Sequence, residues 1–376
     1  TYIELSVIDI ILEKVDIKKV VVDNGYINIK YDSDNNPNFA IFKTNEKSNN
    51  KLTLNNLLLI NTQISFNRKD VNLNWKTQEA VLSFSEKEII INAKIFSEKL
   101  IINNQDYIHK KQMRLHTTLE VIKDSILIQK GSTVNIENVK IELSGEIFQG
   151  TIIDLDFSCE DQELINIIKN TPEYLKSIYR SFQADGIVTC NGNIKGLISK
   201  ESNPYLDMTC NIEKGNFNLK SRPFILKNVS LNAKINNGEQ CDFHNTKIEI
   251  SDFDAKTENG FIKGDFSIQN LNKYYLTANL NSSWDLAEIN HYFEDSPFFN
   301  LQGKLNVNTQ YSGYISFDSK FTNYFLAANH TSKTSFKETS FTYQNFPLKF
   351  NFNTAKCTFK NNRIVVENSA FTIADS

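Results

Sequence analysis

Proline and glycine are scarce, 6 and 13 among 376 residues, which excludes collagen-like and proline-rich linker sequences. No excess of one charge is present either: 41 Lys and Arg stand against 44 Asp and Glu, a net charge of −3. Nucleic-acid binders and polybasic membrane-surface binders concentrate positive charge, so the near-balance argues against both classes. No apolar run approaches the roughly 18–20 residues that span a bilayer. The richest runs, Val20–Val22, Leu57–Ile60 and Ile89–Ile91, end in polar residues. The chain opens at Thr1 without Met or a signal peptide. It reads as a fragment whose beginning is missing, with room upstream for an anchor or targeting segment.

The five cysteines are Cys159, Cys190, Cys210, Cys241 and Cys357. They form no CxxC pair, and an odd number cannot all pair within the chain. Four fall where strand patterning places a small buried residue, so reduced core thiols are expected. A single disulfide is the alternative and needs an oxidising compartment.

Catalytic signatures are missing as well. There is no HExxH, no Walker A loop and no GxSxG elbow. The histidines, His109, His116, His244, His291 and His330, are read as solvent-facing or turn residues. Asp154/Asp156 and Asp252/Asp254 alternate with apolar residues, as the wet side of strands does, and are not read as a carboxylate pair or a Ca²⁺ site. The expectation is a protein that is not an enzyme and carries no metal or cofactor.

What is present is period-two alternation of apolar and polar residues, the mark of half-buried strands. Phe346–Phe352 and Leu276–Leu280 are the cleanest cases; Ile225–Ile235, Lys247–Ile250 and Ile262–Ile268 follow. Such strands belong to antiparallel sheets with one wet face. Asn24-Gly25, Asn191-Gly192, Asn237-Gly238 and Asn259-Gly260 supply hairpin-turn chemistry.

Helix signals are few. Ser6–Asp9 resembles a capping box. From about Asp161 to Phe182, Leu164, Ile167, Ile168, Leu175, Ile178 and Phe182 form an apolar stripe, split into two helices by Thr171-Pro172. This stripe is expected to pack on the sheet. A third short helix is expected near Ser283, with Leu286, Ile289 and Phe293 on one face.

Two internal repeats organise the chain. Ile17–Ile29 aligns without gaps on Leu54–Phe66, 37 residues on, and each copy reads as a strand, an Asn-led turn and a returning strand. Gly186–Gly196 and Gly303–Gly313 lie 117 residues apart, each after a helix signal. A ten-residue strand is roughly 33 Å long. Three regions follow: 1–160, 161–282 with a helix and β-repeats, and 283–376 with a second such unit, together reading as one continuous elongated domain. The expected fold is mainly β, an elongated, curled antiparallel sheet of repeated amphipathic strands forming a groove, with a few short helices. Helices too scarce to cover so many strands leave two destinations for the oily faces. The sheet folds on itself as a filled sandwich, or it curls into a trough lined with apolar side chains.

The order of these elements resembles the AsmA family of bacterial envelope proteins in its Bacteroidetes form. The resemblance runs through Leu5–Leu12, Ile17–Val20, Asn24-Gly25, Tyr31-Asp32 and Pro37–Phe39. It continues through Thr171–Glu173, Gly186–Gly196, Pro204, Glu213–Phe217, Phe261–Leu271 and Phe346–Leu348. It covers nearly the whole chain and rests on pattern. It implies a periplasmic body anchored to the inner membrane by a segment outside this fragment, and a long β-groove. It also implies phospholipid transport towards the outer membrane, or maintenance of that membrane, with phospholipid acyl chains and envelope proteins as partners and no nucleic acid. The lipid-contacting positions it implies are Val20, Val22, Ile27 and Ile29 with Leu57, Leu59, Ile64 and Phe66; Val188, Cys190 and Ile194 with Leu305, Val307 and Tyr311; and Phe346, Leu348, Phe350 and Phe352. The alternative is a non-catalytic envelope scaffold that conducts no lipid. A polysaccharide-binding β-protein lacks an aromatic platform, since Trp75 and Trp284 are isolated. An outer-membrane barrel is disfavoured by the helical interruptions and the Lys/Asn-rich outer faces.

Overall fold

The computed structural model describes residues 2–5, 16–32, 36, 38, 53–68, 71–172, 182–199, 202–220, 224–290, 298–315, 327–344, 346–361, 363–367 and 369–374. Strand accounts for 78% and helix for 4%, in an open, curled antiparallel sheet that is not closed into a barrel. Among the described residues helix is too scarce to supply a covering layer. The chain divides into two compact units, residues 1–162 with 166–178 and 191–204, and residues 163–165 with 179–190 and 205–376.

Unit 1 contains β1 (Tyr2–Leu5), β2 (Asp16–Asp23), β3 (Tyr26–Lys30), β4 (Thr53–Leu54), β5 (Asn56–Ile60), β6 (Gln63–Arg68), β7 (Val71–Phe84), β8 (Glu88–Ile102), β9 (Gln105–Ile122), β10 (Ser125–Ile136), β11 (Val139–Phe148) and most of β12 (Ile152–Glu163). From β7 to β12 each strand pairs antiparallel with the one before it.

The first repeat takes an unexpected form. Its two copies pair in parallel, Val20 with Leu57 and Val22 with Leu59, then Ile27 with Ile64 and Ile29 with Phe66. The 37-residue sequence offset is therefore the register of the sheet. The expected returning strand after the Asn-led turn is not there. Both β5 and β6 pair antiparallel with the single long β7, so the chain bends at Asn61 and continues in one direction. Asn24 and Asn61 adopt left-handed φ of 50° and 46°, the chemistry expected of a turn, used here for a bend.

Small residues fill that bend. A Cβ on Gly25 would lie 2.3 Å from Val22 Cγ1, and Thr62 and Thr77 are fully buried. The Thr62 amide donates to Thr77 Oγ1 (3.1 Å), and Thr77 Oγ1 donates to the Thr62 carbonyl (3.0 Å). The hydroxyl thus completes a ladder that the bend interrupts. Thr77→Val keeps the shape and strands the Thr62 amide, so unit 1 loses about 1–3 kcal/mol, read as a lower urea midpoint at constant slope.

β13 (Phe182–Leu197) follows α1 (Leu164–Asn170) and is shared between the units. Unit 2 continues with β14 (Tyr205–Leu219), β15 (Phe224–Asn236), β16 (Lys247–Lys256), β17 (Phe261–Gln269), β18 (Tyr275–Asp285), α2 (Leu286–Asn290), β19 (Phe298–Tyr314), β20 (Asn329–Tyr343), β21 (Phe346–Lys360), β22 (Arg363–Glu367) and β23 (Phe371–Ala374). Successive strands from β14 to β21 pair antiparallel, and β21 pairs with both β22 and β23. Left-handed residues sit where the ladder slips: Lys214 in β14, Asn228 in β15 and Asp252 in β16. Such bulges bend a strand and increase its twist, which is how the sheet curls.

Several local expectations need correction. Asn191-Gly192 lies inside β13 and makes no turn. Asn259-Gly260 does close a hairpin, between Lys256 and Phe261, whereas Asn237-Gly238 opens a longer loop from Asn236 to Lys247. Asp161 belongs to β12 and Phe182 begins β13, so neither is helical; the first of the two expected helices spans Leu164–Asn170 and buries none of its residues fully. The second half of that stripe, Leu175 and Ile178, lies outside the described residues, as do Ser6–Asp9, His291 and Phe293. The third helix begins at Leu286, with Asp285 Oδ1 accepting the Ala287 amide as its cap. Ser283 is still in β18.

Candidate functional site

Directly opposed residues of paired strands share one face, so the register places side chains in rows across the sheet. In unit 1 one row runs Val22–Leu59–Ala80–Ala93–Leu115–Val134–Ile141 over seven strands. A second runs Ile29–Phe66–Leu73–Leu100–Ile108. Between them Ile27, Ile64 and Trp75 are aligned. Leu59, Ala80, Ala93, Ile95 and Met113 are the buried centre, with Val22, Ile27, Leu57 and Ile64 packed against it. All eight residues expected in the first repeat thus lie on one apolar face. Val21, between two of them and pointing to the opposite face, is more buried than either, at 1% exposure, and was not singled out by the alternation.

The sheet of unit 1 curls far enough for non-neighbouring strands to touch. Arg68, at the end of β6, donates through Nη1 to the carbonyl of Gly150 between β11 and β12 (3.3 Å), and Asn103 Nδ2 donates to the Ser199 carbonyl (2.6 Å).

Unit 2 carries equivalent rows. Met208–Ile235–Ile248–Ile268–Leu276 is one, and Cys210–Ala233–Ile250–Phe266–Ala278–Tyr311–His330 another. Leu305 aligns with Trp284 and Phe336, and Val307 with Ser282 and Thr334. Val188 and Cys190 are buried on β13, and Ile194, in unit 1, is half-buried. On β21, Phe350 and Phe352 stack against Phe341 with centroids 5.2 and 5.7 Å away; Leu348 is half-buried and Phe346 is 44% exposed.

Two expectations about polar groups fail here. Cys190 and Cys210 form a disulfide between β13 and β14, with Cα atoms 4.2 Å apart, so these two are not reduced thiols; Cys357 is a free thiol. His330 is buried at 2% exposure and does not face solvent. By contrast the acidic pairs do lie on the wet face. Asn193 donates to both Asp154 and Asp156, and Lys195 pairs with Asp154 and holds its carboxyl below the usual carboxylate range, helped by Asn193. Asp252 accepts from Asn232 and Asp254 from Lys263.

Among the described residues the centre of the apolar face is buried by small and aliphatic side chains, and its large aromatic ones are only partly buried. The chain has 27 phenylalanines, yet among the described residues none is buried. The largest fully buried side chains are Val21 and Val229. A filled core buries its large apolar residues first. A concavity of about 620 Å³ in unit 2 is lined by Ile250, Phe266, Ala278, Tyr311 and His330 of the second row and by the flanking polar ladders Glu249–Ser267–Thr277–Ser312 and Asp265–Asn279–Gln310.

No family model, curated protein or solved structure matches this chain. Its chemistry is therefore read from the rows themselves. Among the described residues no group of three His, Cys, Asp or Glu side chains is placed to hold a metal, and no helix is long and apolar enough to cross a membrane. What the face offers is continuous aliphatic and aromatic surface, broken on β20 by hydroxyls.

Proposed function

We propose that this chain is the groove-forming body of an AsmA-like envelope protein that carries phospholipid acyl chains between the inner and outer membranes. In this reading it acts from the periplasm, through an inner-membrane anchor, and without catalysis. The observation that carries the proposal is the continuous apolar face: rows of aliphatic and aromatic side chains cross up to seven strands, with no phenylalanine among the described residues buried. The energetics favour such a surface. Exposing acyl chains to water costs about 0.8 kcal/mol per CH₂, so two chains of ~14–16 carbons face on the order of 20–25 kcal/mol in an aqueous gap. A continuous apolar face removes most of that barrier without bond chemistry. The Cys190–Cys210 disulfide supports an oxidising compartment such as the periplasm, and the order of repeats and helices supports the AsmA resemblance.

The test is Val22→Asp with Phe66→Asp, two half-buried positions on separate rows. A carboxylate against hydrocarbon costs about 2.5–3.5 kcal/mol. Lipid co-purifying with the detergent-free protein is expected to fall roughly tenfold or more. Unchanged lipid on a variant with native circular dichroism would leave only the scaffold function.

A further inference from the structure

The apolar rows of unit 2 do not stay apolar. On reaching β19 and β20 they meet Thr309, Ser332, Thr334 and His330, held on the apolar face by register: Leu280 opposes Thr309, Thr309 opposes Ser332, Val307 opposes Thr334, and Tyr311 opposes His330. Ser332 and Thr334 are buried at 8% and 9% exposure. β-Branched apolar residues suit such positions, and a hydroxyl placed among hydrocarbon is costly unless it is hydrogen-bonded.

The hydroxyls are only part-used by the protein. Thr334 Oγ1 donates to the Cys357 carbonyl (3.1 Å), which leaves its lone pairs. Thr309 Oγ1 and Ser332 Oγ lie 2.9 Å apart and share one hydrogen bond. A pair of hydroxyls has two protons, and that bond uses one. No other acceptor among the described residues takes the second from either side chain. A donor is thus held on an oily face, flanked by Leu280 on one side of the pair and Phe359 on the other.

We propose that Thr309, Ser332 and Thr334 form a fixed seat for the polar end of an acyl amphiphile, a hydrocarbon chain ending in hydrogen-bond-accepting oxygen, whose hydrocarbon lies along the neighbouring apolar rows. This rests on the lipid reading above and deepens it: the face holds a bound amphiphile at a defined depth and is more than a uniform slide. A carboxylate of a free fatty acid and the ester or phosphate oxygens of a phospholipid share this chemistry.

The experiment uses the whole chain, delipidated, and measures retention of three probes by native mass spectrometry: palmitate, dipalmitoyl phosphatidylglycerol and hexadecane. The wild type is expected to retain at least one oxygen-bearing probe tenfold better than hexadecane. Which of the first two is preferred distinguishes fatty acid from phospholipid. In Thr309→Val/Ser332→Val the preference over hexadecane is expected to fall to near unity, and Ser332→Ala serves as a second variant if the valines disturb folding. Equal retention of all three by the wild type, or an unchanged preference in a folded variant, overturns the seat and leaves the lipid reading standing. Retention of none, hexadecane included, overturns the lipid reading and the seat with it.

Discussion

Replacing Cys190 and Cys210 together by alanine is expected to lower the melting temperature of unit 2 by roughly 6–12 °C. The bridge joins residues 20 apart in sequence across β13 and β14. Closing a loop of that length restricts the unfolded chain by about 3 kcal/mol. For a domain of this size each kcal/mol moves the midpoint by about 2–4 °C. Alanine is the right replacement, because Cys210 stands in the row that continues through Ala233 and Ile250, where a serine would add an unpaired hydroxyl. Reductant supplies the internal control. It should bring the wild type down to the variant's midpoint and leave the variant where it was. A double variant that melts with the oxidised wild type would mean that the bridge adds nothing to the ladder around it.

That a single bridge could be weighed from the sequence but its partners could not be named has a physical cause. Which cysteines meet is fixed by the register of two long strands, and the sequence of either strand alone is compatible with several registers. Alternation did locate the strands. Every run it marked lies in one, Phe346–Phe352 in β21 and Leu276–Leu280 in β18 among them. The 37-residue repeat carried more: because matching residues of two like copies stack best in phase, its offset became the parallel register of Val20 on Leu57. Direction was not legible. Asn24 and Asn61 announce a left-handed residue, and a left-handed residue serves equally for a reversal or for a bend. Asn191-Gly192 shows the opposite case, turn chemistry overridden by its place inside a long strand. The polar seat escaped for a related reason. Thr309, Ser332 and Thr334 look like ordinary strand residues until the ladder shows that they continue rows begun by Leu280 and Val307.

Removing the carboxylate of Glu288 is the other large effect, because this one side chain ties a helix to a turn. Glu288 is buried at 8% exposure on α2. Its Oε2 accepts from Thr257 Oγ1 (3.3 Å) and from the Asn259 amide (3.2 Å), and its Oε1 accepts from the Glu258 amide (3.1 Å). Those donors belong to the hairpin turn between β16 and β17, where a Cβ on Gly260 would lie 1.9 Å from the Ser283 carbonyl oxygen. The turn backbone therefore presses against β18, and its amides are tied to the carboxylate. Glu288→Ala leaves three donors without their acceptor; Thr257 is buried while Glu258 and Asn259 are exposed and their amides can turn to water, so a loss of about 1–3 kcal/mol is expected. Glu288→Gln keeps one acceptor oxygen but turns the other into a donor facing donors, so its cost falls between the wild type and alanine. Chemical denaturation of unit 2 gives the magnitudes, and hydrogen exchange gives the place. The Glu258 and Asn259 amides should exchange about tenfold faster or more in the alanine variant, with those of β14 and β15 following only the global change. Equal exchange at all sites would mean that the carboxylate supports the unit as a whole and not this turn, and an unchanged midpoint would mean that the turn holds without it.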